Sequence, residues 1–177
     1  MNASVSASKH SVPQVEVGLI QNLVTILGDP AGAGCALCDP AFELDRLYRL
    51  AEARGQAVRA VLLTHSHPDH IEGVPEVARR SGAPIYVGEA EAAAVARYCA
   101  DEGAAPDLRP LRGGERLRLG GLDIEVLATP GHTAAGLSYY LPDLGAVLTG
   151  DTLFVESCGR ALDPARLHHS LRLLAAL

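Results

Sequence analysis

The sequence lacks any apolar run that approaches the roughly 18–20 residues needed to cross a bilayer. It also lacks a secretory signal, because residues 1–14 are polar, rich in serine and without an apolar centre. We therefore expect a cytoplasmic protein that does not insert into a membrane. With 177 residues, 48% of them hydrophobic, the chain can form one compact domain with its own core. We assign that domain to residues 15–177 and interpret residues 1–14 as a disordered polar tail.

Basic residues are scarce. Lys9 is the only lysine, and 15 Lys and Arg residues stand against 21 Asp and Glu residues, which gives a formal net charge of −6. Proteins that bind DNA or RNA usually present a basic face to the phosphates. The composition therefore argues against a nucleic-acid partner, and the partner that we expect is a small-molecule substrate. It leaves the oligomeric state open.

A second CxxC pair is also lacking. Cys35 and Cys38 form the single pair, and the other two cysteines, Cys99 and Cys158, stand alone. The stretch 35–38 is typical of a short apolar strand, on which residues three apart point to opposite faces. We predict that both are small buried thiols rather than a redox or metal pair.

Strands and helices are mixed along the whole chain, which indicates an α/β protein with two sheets covered by helices in four layers. Apolar patterning and Gly or Pro turns predict strands at 15–27 (one or two strands), 35–38, 58–63, 84–87, 117–119, 122–127, 137–141 and 146–148. The predicted helices cover 42–54, 74–80, 89–100 and the chain from Pro164 to its end, with Asp163 as N-cap.

Four potential metal ligands lie within six residues directly after the strand 58–63. His65 and His67 are two apart, so in an extended chain both imidazoles project to the same side and can reach one metal ion. Pro68 cannot donate a backbone hydrogen bond and should help to end the strand. Asp69 and His70 then lie where the chain turns into the next helix, and they can face a second metal ion. Packing alone does not account for such a cluster.

Two further potential ligands also follow strand ends. His132 comes after the strand 122–127, and Asp151 comes after the strand 146–148. In α/β sheets ligands bind at such strand ends. Three loops can therefore converge on one site.

These residues resemble the metallo-β-lactamase superfamily, whose HxHxDH motif is matched by His65, His67, Asp69 and His70, followed by His132 and Asp151. The runs VLATPGHT (126–133) and TGDTLFV (149–155), with Cys158-Gly159-Arg160, are most similar to the glyoxalase II (hydroxyacylglutathione hydrolase) branch. The resemblance covers the chain from about residue 15. It implies the metallo-β-lactamase fold, a four-layer αββα sandwich.

The resemblance also implies a site with two metal positions and a hydrolytic reaction. His65, His67 and His132 would hold the first ion, Asp69 and His70 the second, and Asp151 would bridge the two. Zinc suits this donor set, and iron or manganese also fit. A hydroxide activated by the metals would then attack a thioester of the hydroxyacylglutathione type.

Three residues are assigned further roles. Asp69 is expected to act as the catalytic residue that orients the nucleophile. Asp39 follows an apolar strand end and would fix a ligand histidine, or it is simply a turn residue before Pro40. Arg160 would bind a substrate carboxylate, or it forms a surface ion pair.

The sequence departs from the family pattern at its C-terminal end. Members carry a further metal-ligating histidine after the last helix, whereas this sequence ends at Leu177 in the last predicted helix. The helical region that helps to bind glutathione is also missing. We therefore expect a fold truncated at the C-terminus and a weak second metal position. The remaining histidines of this region, His168 and His169, are expected on the surface of the helix.

Two alternative functions remain open. An iron-dependent persulfide dioxygenase would use only His65, His132 and Asp151, a site of two histidines and one carboxylate with open positions for oxygen. A truncated module that keeps the fold without the activity is the second alternative.

Overall fold

The computed structural model describes residues 12–32 and 34–177. Most of the expected tail, residues 1–11, lies outside the described residues. The first strand begins at Gln14, one residue before the expected start of the domain. The Pro13 carbonyl already accepts a hydrogen bond from the Ile26 N–H.

The first sheet brings several strand ends to one edge. Its six strands lie in the spatial order β1-β2-β3-β4-β5-β6. The first three pair antiparallel, whereas β3 to β6 pair parallel, so the carboxyl ends of these four strands share an edge. The strands are β1 (Gln14–Val17), β2 (Asn22–Gly28), β3 (Gly34–Cys38), β4 (Ala57–Leu62), β5 (Ile85–Gly88) and β6 (Leu108–Leu111).

The second sheet is antiparallel throughout and has the order β10-β9-β8-β7. Gly120 and Gly121 form the two-residue turn between the paired residues Leu119 and Leu122. Gly120 has a φ of 64°, which glycine adopts without strain. The strands are β7 (Arg116–Leu119), β8 (Leu122–Ala128), β9 (Leu137–Leu141) and β10 (Ala146–Leu148).

The α-helices lie between or after the strands. They are α1 (Leu44–Glu52), α2 (Pro68–Ile71), α3 (Val74–Ser81), α4 (Ala92–Asp101) and α5 (Pro164–Leu174). Short 3-10 turns cover Glu89–Glu91, Pro142–Leu144 and Gly150–Thr152. As predicted, α5 begins with Asp163 as N-cap, whose carboxylate accepts the Arg166 N–H at 3.1 Å. Among the described helices, none is both long and apolar enough to cross a bilayer.

Two apolar layers hold these elements together. One layer lies between the first sheet and helices α1, α3 and α4, and the other fills the space between the two sheets. Along β4, Val61 faces the helices while Ala60 and Leu62 face the second sheet, as the alternation of a strand requires. The predicted α/β arrangement of two sheets and flanking helices is confirmed.

The two cysteines of the CxxC pair behave as predicted. Cys35 belongs to the layer under the helices and Cys38 to the layer between the sheets, so the two thiols point to opposite faces. Both are buried and unbonded. Burial raises the pKa of the Cys35 thiol to about 11 and that of the Cys38 thiol well above its ordinary value.

Most element boundaries differ from the sequence prediction by one or two residues, and three differences have a clear physical reason. The expected helix 89–100 begins as a 3-10 turn and is α-helical only from Ala92. The helix expected at 42–54 begins at Leu44, because Glu43 has a left-handed φ of 54°. Strand β6 is absent from the sequence prediction. Its sequence LRPL contains Pro110, which is uncommon within strands, but β6 lies at the edge of the sheet, where proline is tolerated.

One hydrogen bond between the sheets can be tested by substitution. The hydroxyl of Tyr139, a fully buried residue of β9, donates to the Leu63 carbonyl at 2.7 Å. Replacing Tyr139 by Phe leaves that buried carbonyl without this partner. We expect a loss of about 1–2 kcal/mol in the free energy of unfolding, measured by urea denaturation. Tyr140→Phe, at the partly exposed next position, is the matched control and should cost less than about 0.5 kcal/mol. Equal losses for both variants would show that the Tyr139 hydrogen bond contributes nothing.

Candidate metal centre

The first group of candidate ligands lies at the end of β4. His65 and His67 follow the strand in extended chain, and His67 is the N-cap residue of α2, with Pro68 at the first helical position. Asp69 and His70 belong to this single helical turn. The turn follows the strand after five residues, so it brings all four side chains to the edge where the parallel strands end.

The second group comes from loops of the other sheet. His132 lies between β8 and β9, and Asp151 lies in the 3-10 turn that follows β10. Glycines allow the close packing here: a Cβ at Gly159 would lie 2.7 Å from His132 Nδ1, and a Cβ at Gly131 would lie 2.2 Å from the Leu167 backbone nitrogen. The two sheets therefore contribute ligands to one place.

Four candidate ligand atoms define the first position. The Nδ1 atom of His67 lies 3.0 Å from His65 Nε2 and 3.1 Å from His132 Nε2. Asp151 Oδ2 lies 3.4 Å from His132 Nε2. One ligand atom of each of these four residues lies within 4.8 Å of all the others.

A second position adjoins the first across the Asp151 carboxylate. His70 Nε2 lies 3.2 Å from Asp151 Oδ1 and 3.7 Å from Asp69 Oδ2. The two oxygens of Asp151 thus face different histidines, His132 and His70. The Asn22 amide supports Asp69, since it donates to the Asp69 backbone carbonyl at 2.6 Å and approaches Oδ2 at 3.3 Å.

Hydrogen bonds on the far side of the rings orient the ligand nitrogens. His132 Nδ1 lies 2.8 Å from the Arg160 carbonyl oxygen, which can only accept, so Nδ1 carries the proton and Nε2 presents its lone pair to the site. His65 Nδ1 donates in the same way to Thr64 Oγ1 at 3.0 Å. Metal-binding histidines generally donate their other ring N–H to an oxygen in this manner.

Asp39 lies behind the histidine rings and forms hydrogen bonds that reach both metal positions. Its buried carboxylate accepts the Thr64 N–H at 2.7 Å and the Thr64 hydroxyl at 2.6 Å. It also accepts from His70 Nδ1 at 3.1 Å. Asp39 therefore holds His70 directly and His65 through the Thr64 hydroxyl, which is an arrangement suited to the supporting role expected from the sequence.

The surroundings shift the pKa values of two histidines of the cluster in opposite directions. Burial and the nearby charge of His70 lower the pKa of His65 to about 3. Burial also disfavours a charge on His70, but the hydrogen bonds to Asp151 and Asp39 outweigh it and raise the pKa of His70 to about 10. Burial alone would raise the pKa of Asp151; the bond from His70 and the charges of the surrounding histidines lower it instead.

The donor set fits a transition-metal ion. Ligand atoms about 2.0–2.1 Å from one tetrahedral ion lie about 3.3–3.4 Å apart, and the closest pairs of the first position lie 3.0–3.4 Å apart. Imidazole nitrogens with their lone pairs directed at one point and a carboxylate beside them suit zinc, and they also suit iron. The residues present therefore fit a metal ion of the kind that the superfamily resemblance implies.

The remaining candidates lie outside the cluster. Arg160 contributes its backbone carbonyl to His132, and its side chain is exposed. His168 and His169 are exposed on α5, as expected, and do not belong to the cluster. The sequence reasoning missed Thr64 and Asn22. Thr64 directly precedes His65, which was a usable signal, whereas nothing in the sequence marks Asn22.

Comparison with known proteins shows the family to which the chain belongs. A model of the metallo-beta-lactamase superfamily matches residues 17–176, so the chain belongs to that superfamily. Hydroxyacylglutathione hydrolase of Brucella ovis is 38% identical over 159 residues, which cover 88% of this chain and 58% of that protein. The similarity to the glyoxalase II branch is thus confirmed, although the chain spans less than two thirds of the length of this relative.

Solved structures agree with the fold. The protein TTHA1623, solved in a di-iron-bound form, superposes with a TM-score of 0.77 at 31% identity over 94% of this chain and 87% of that chain. ETHE1 from Myxococcus xanthus superposes with a TM-score of 0.79, also at 31% identity, over 94% of this chain and 71% of that chain. The predicted metallo-β-lactamase fold is therefore confirmed, and the cluster is supported as a metal-binding site without a defined metal.

His67 is the most informative candidate ligand to remove, since its Nδ1 lies within 3.1 Å of both other imidazole nitrogens of the first position. We expect His67→Ala to weaken zinc binding at least about 100-fold, because even residues behind the ligands contribute 10–100-fold. Metal content after dialysis and competition with a chelator measure this. His169→Ala, on the exposed face of α5, is the matched histidine control and should bind as the parent does. Parent-like binding by His67→Ala would contradict the assignment.

Proposed function

We propose that the chain hydrolyses thioesters of the hydroxyacylglutathione type at this centre. The support comes from the 38% identity to a protein of that name, together with a cluster whose residues fit metal ions. The substrate would be a small molecule. We also propose that the protein is cytoplasmic and acts without a membrane or nucleic-acid partner.

The position of Asp151 carries the proposal. Its Oδ2 atom lies beside His132 of the first position and its Oδ1 atom beside His70 of the second, as a ligand shared by both positions would. His65, His67 and His132 would hold one ion, and Asp69 and His70 the other. Bound there, such ions lower the pKa of a water molecule and polarise a carbonyl oxygen.

Asp69 would contribute more than ligation. Its side chain is 37% exposed, so its carboxylate remains open to the solvent side of the site. Asn22 fixes the Asp69 backbone and approaches Oδ2, which limits the positions that the carboxylate can adopt. A carboxylate oxygen placed in this way can accept a hydrogen bond from the attacking water and orient it towards the substrate.

Arg160 would bind a carboxylate of the substrate. Its backbone lies next to the centre because its carbonyl accepts the His132 Nδ1–H. In the part of the chain that the structure describes, its exposed guanidinium takes part in no ion pair. The planar guanidinium is therefore free to bind a carboxylate through two parallel hydrogen bonds.

A persulfide dioxygenase is kept as the second candidate because His65, His132 and Asp151 also form a set of two histidines and one carboxylate. The close approach of His67 Nδ1 to both other imidazoles favours the hydrolase instead, because that ring would otherwise stand unused in the cluster. The iron found in the similar protein TTHA1623 keeps the metal itself open.

Hydrolysis can be tested directly on the 177-residue chain. After loading with zinc, iron or manganese, it should release thiol from an S-hydroxyacylglutathione. Metal removal should lower kcat/KM at least about 100-fold, because metal catalysis contributes several kcal/mol. His67→Ala controls for contaminating activity, and Arg160→Ala should raise KM more than it lowers kcat.

Two results would contradict this proposal. Oxygen consumption with a glutathione persulfide, accompanied by one iron per chain and no thioester hydrolysis, would favour the dioxygenase. Full metal loading without either activity would indicate an inactive module.

A further inference from the structure

A buried carboxylate lies outside the metal cluster but touches one of its loops. Glu91 is 6% exposed and ends the 3-10 turn that leads directly into α4. Its Oε1 atom accepts the Thr133 hydroxyl at 2.5 Å and the Ala135 N–H at 3.2 Å. Within the described residues its buried Oε2 atom has no hydrogen-bond partner. Burying a carboxylate is costly unless it is paired, so this arrangement requires an explanation.

The two groups held by Glu91 belong to the loop that carries His132. Thr133 directly follows His132, and Ala135 follows two residues later. Close contact on the same side comes from Gly88, where a Cβ would lie 2.2 Å from the Ala135 carbonyl oxygen. The chain segment from Gly88 to Glu91 therefore packs directly against the middle of the loop.

Most other hydrogen bonds of this loop fix its ends, and within it the Gly131 N–H donates to the Thr133 carbonyl at 2.8 Å. The Gly131 carbonyl accepts the N–H groups of Leu162 and Asp163, at 2.7 and 2.9 Å. At the base of the loop, the Thr129 N–H donates to the Gly136 carbonyl at 2.8 Å. Between these anchors, the side-chain hydrogen bonds of Thr133 and the Ala135 N–H both go to Glu91.

We infer that Glu91 is a positioning residue of the metal centre, which holds Thr133 and Ala135 so that the loop directs His132 Nε2 towards His65 and His67. The Arg160 carbonyl fixes the rotation of the His132 ring, and Glu91 fixes the backbone that carries the ring. This inference rests on the proposed metal centre. The cost of the buried carboxylate is offset in part by the N-terminus of α4, where a negative charge is favourable.

Variants of Glu91 test the inference through metal affinity. Glu91→Ala should weaken binding of the tighter zinc ion about 10–100-fold, the range seen when partners behind metal ligands are removed. Glu91→Gln keeps an acceptor oxygen at the same place and should stay within about fivefold of the parent. Glu89→Ala is the matched control: Glu89 lies in the same 3-10 turn, but it is exposed and pairs with Arg112 on the surface. It should bind zinc as the parent does.

A second substitution keeps the test open if Glu91→Ala does not fold. Thr133→Val removes the hydroxyl that Glu91 accepts, whereas Thr133→Ser keeps it. Thr133→Val should weaken zinc binding in the same direction and Thr133→Ser should not. Because both changes break the hydrogen bond between Thr133 and Glu91, the losses of Glu91→Ala and Thr133→Val should not add fully in the double variant. The visible spectrum of the cobalt-substituted protein should change in Glu91→Ala and recover in Glu91→Gln, since it reports the ligand geometry.

The outcomes distinguish this inference from the proposal on which it rests. A parent chain that binds no metal would overturn the metal centre and the role of Glu91 together. A parent that binds zinc tightly, with Glu91→Ala and Thr133→Val binding equally well, would overturn the role of Glu91 alone. Equal weakening by Glu91→Gln and Glu91→Ala would also overturn it, because the acceptor oxygen would then not be the cause.

Discussion

The carboxylate of Asp39 accepts three hydrogen bonds where two parallel strands end, and the geometry of the metal centre depends on them. The bonds come from the Thr64 N–H, the Thr64 hydroxyl and His70 Nδ1. Asp39 itself has a φ of 52°, a left-handed conformation that Asp adopts more readily than most residues. Such a conformation persists in a buried place only when the surrounding contacts determine it. Here those contacts tie the end of β3 to the end of β4 and to the helical turn that follows.

Hydrogen bonds to oxygen atoms also orient the histidine rings of the site. Each imidazole that presents Nε2 has an oxygen behind Nδ1, namely Thr64 Oγ1 for His65, the Arg160 carbonyl for His132 and Asp39 for His70. These oxygens come from separate segments of the chain. Each ring is therefore oriented by contacts on its own side of the site, and the packing of the two sheets brings His132 to the other imidazoles. The Tyr139 hydroxyl on the Leu63 carbonyl contributes to that packing next to the segment that carries His65.

Local patterns made much of this predictable from the sequence. The spacing of His65 and His67 after an apolar strand, and the positions of His132 and Asp151 after two others, indicated a shared site because strand ends collect at one edge. The position of Asp39 after a strand end also made it a candidate supporting residue, with a turn residue before Pro40 as the alternative. Glu91 was not a candidate, because a Glu in the first turn of a predicted Ala-rich helix has the appearance of an ordinary surface residue. Its burial arises from contacts with residues 42 to 44 positions further along the chain, which only the folded structure brings together.

The central claim is that His65, His67 and His132 hold one metal ion and that Asp151 lies between it and a second. Anomalous diffraction from crystals of the metal-loaded chain tests this most directly. We expect a strong peak at coordination distance from all three imidazoles, and any second peak on the side of Asp151 that faces His70 and Asp69. A metal found elsewhere, for example at His168 and His169, or bound without one of the three imidazoles, would contradict it.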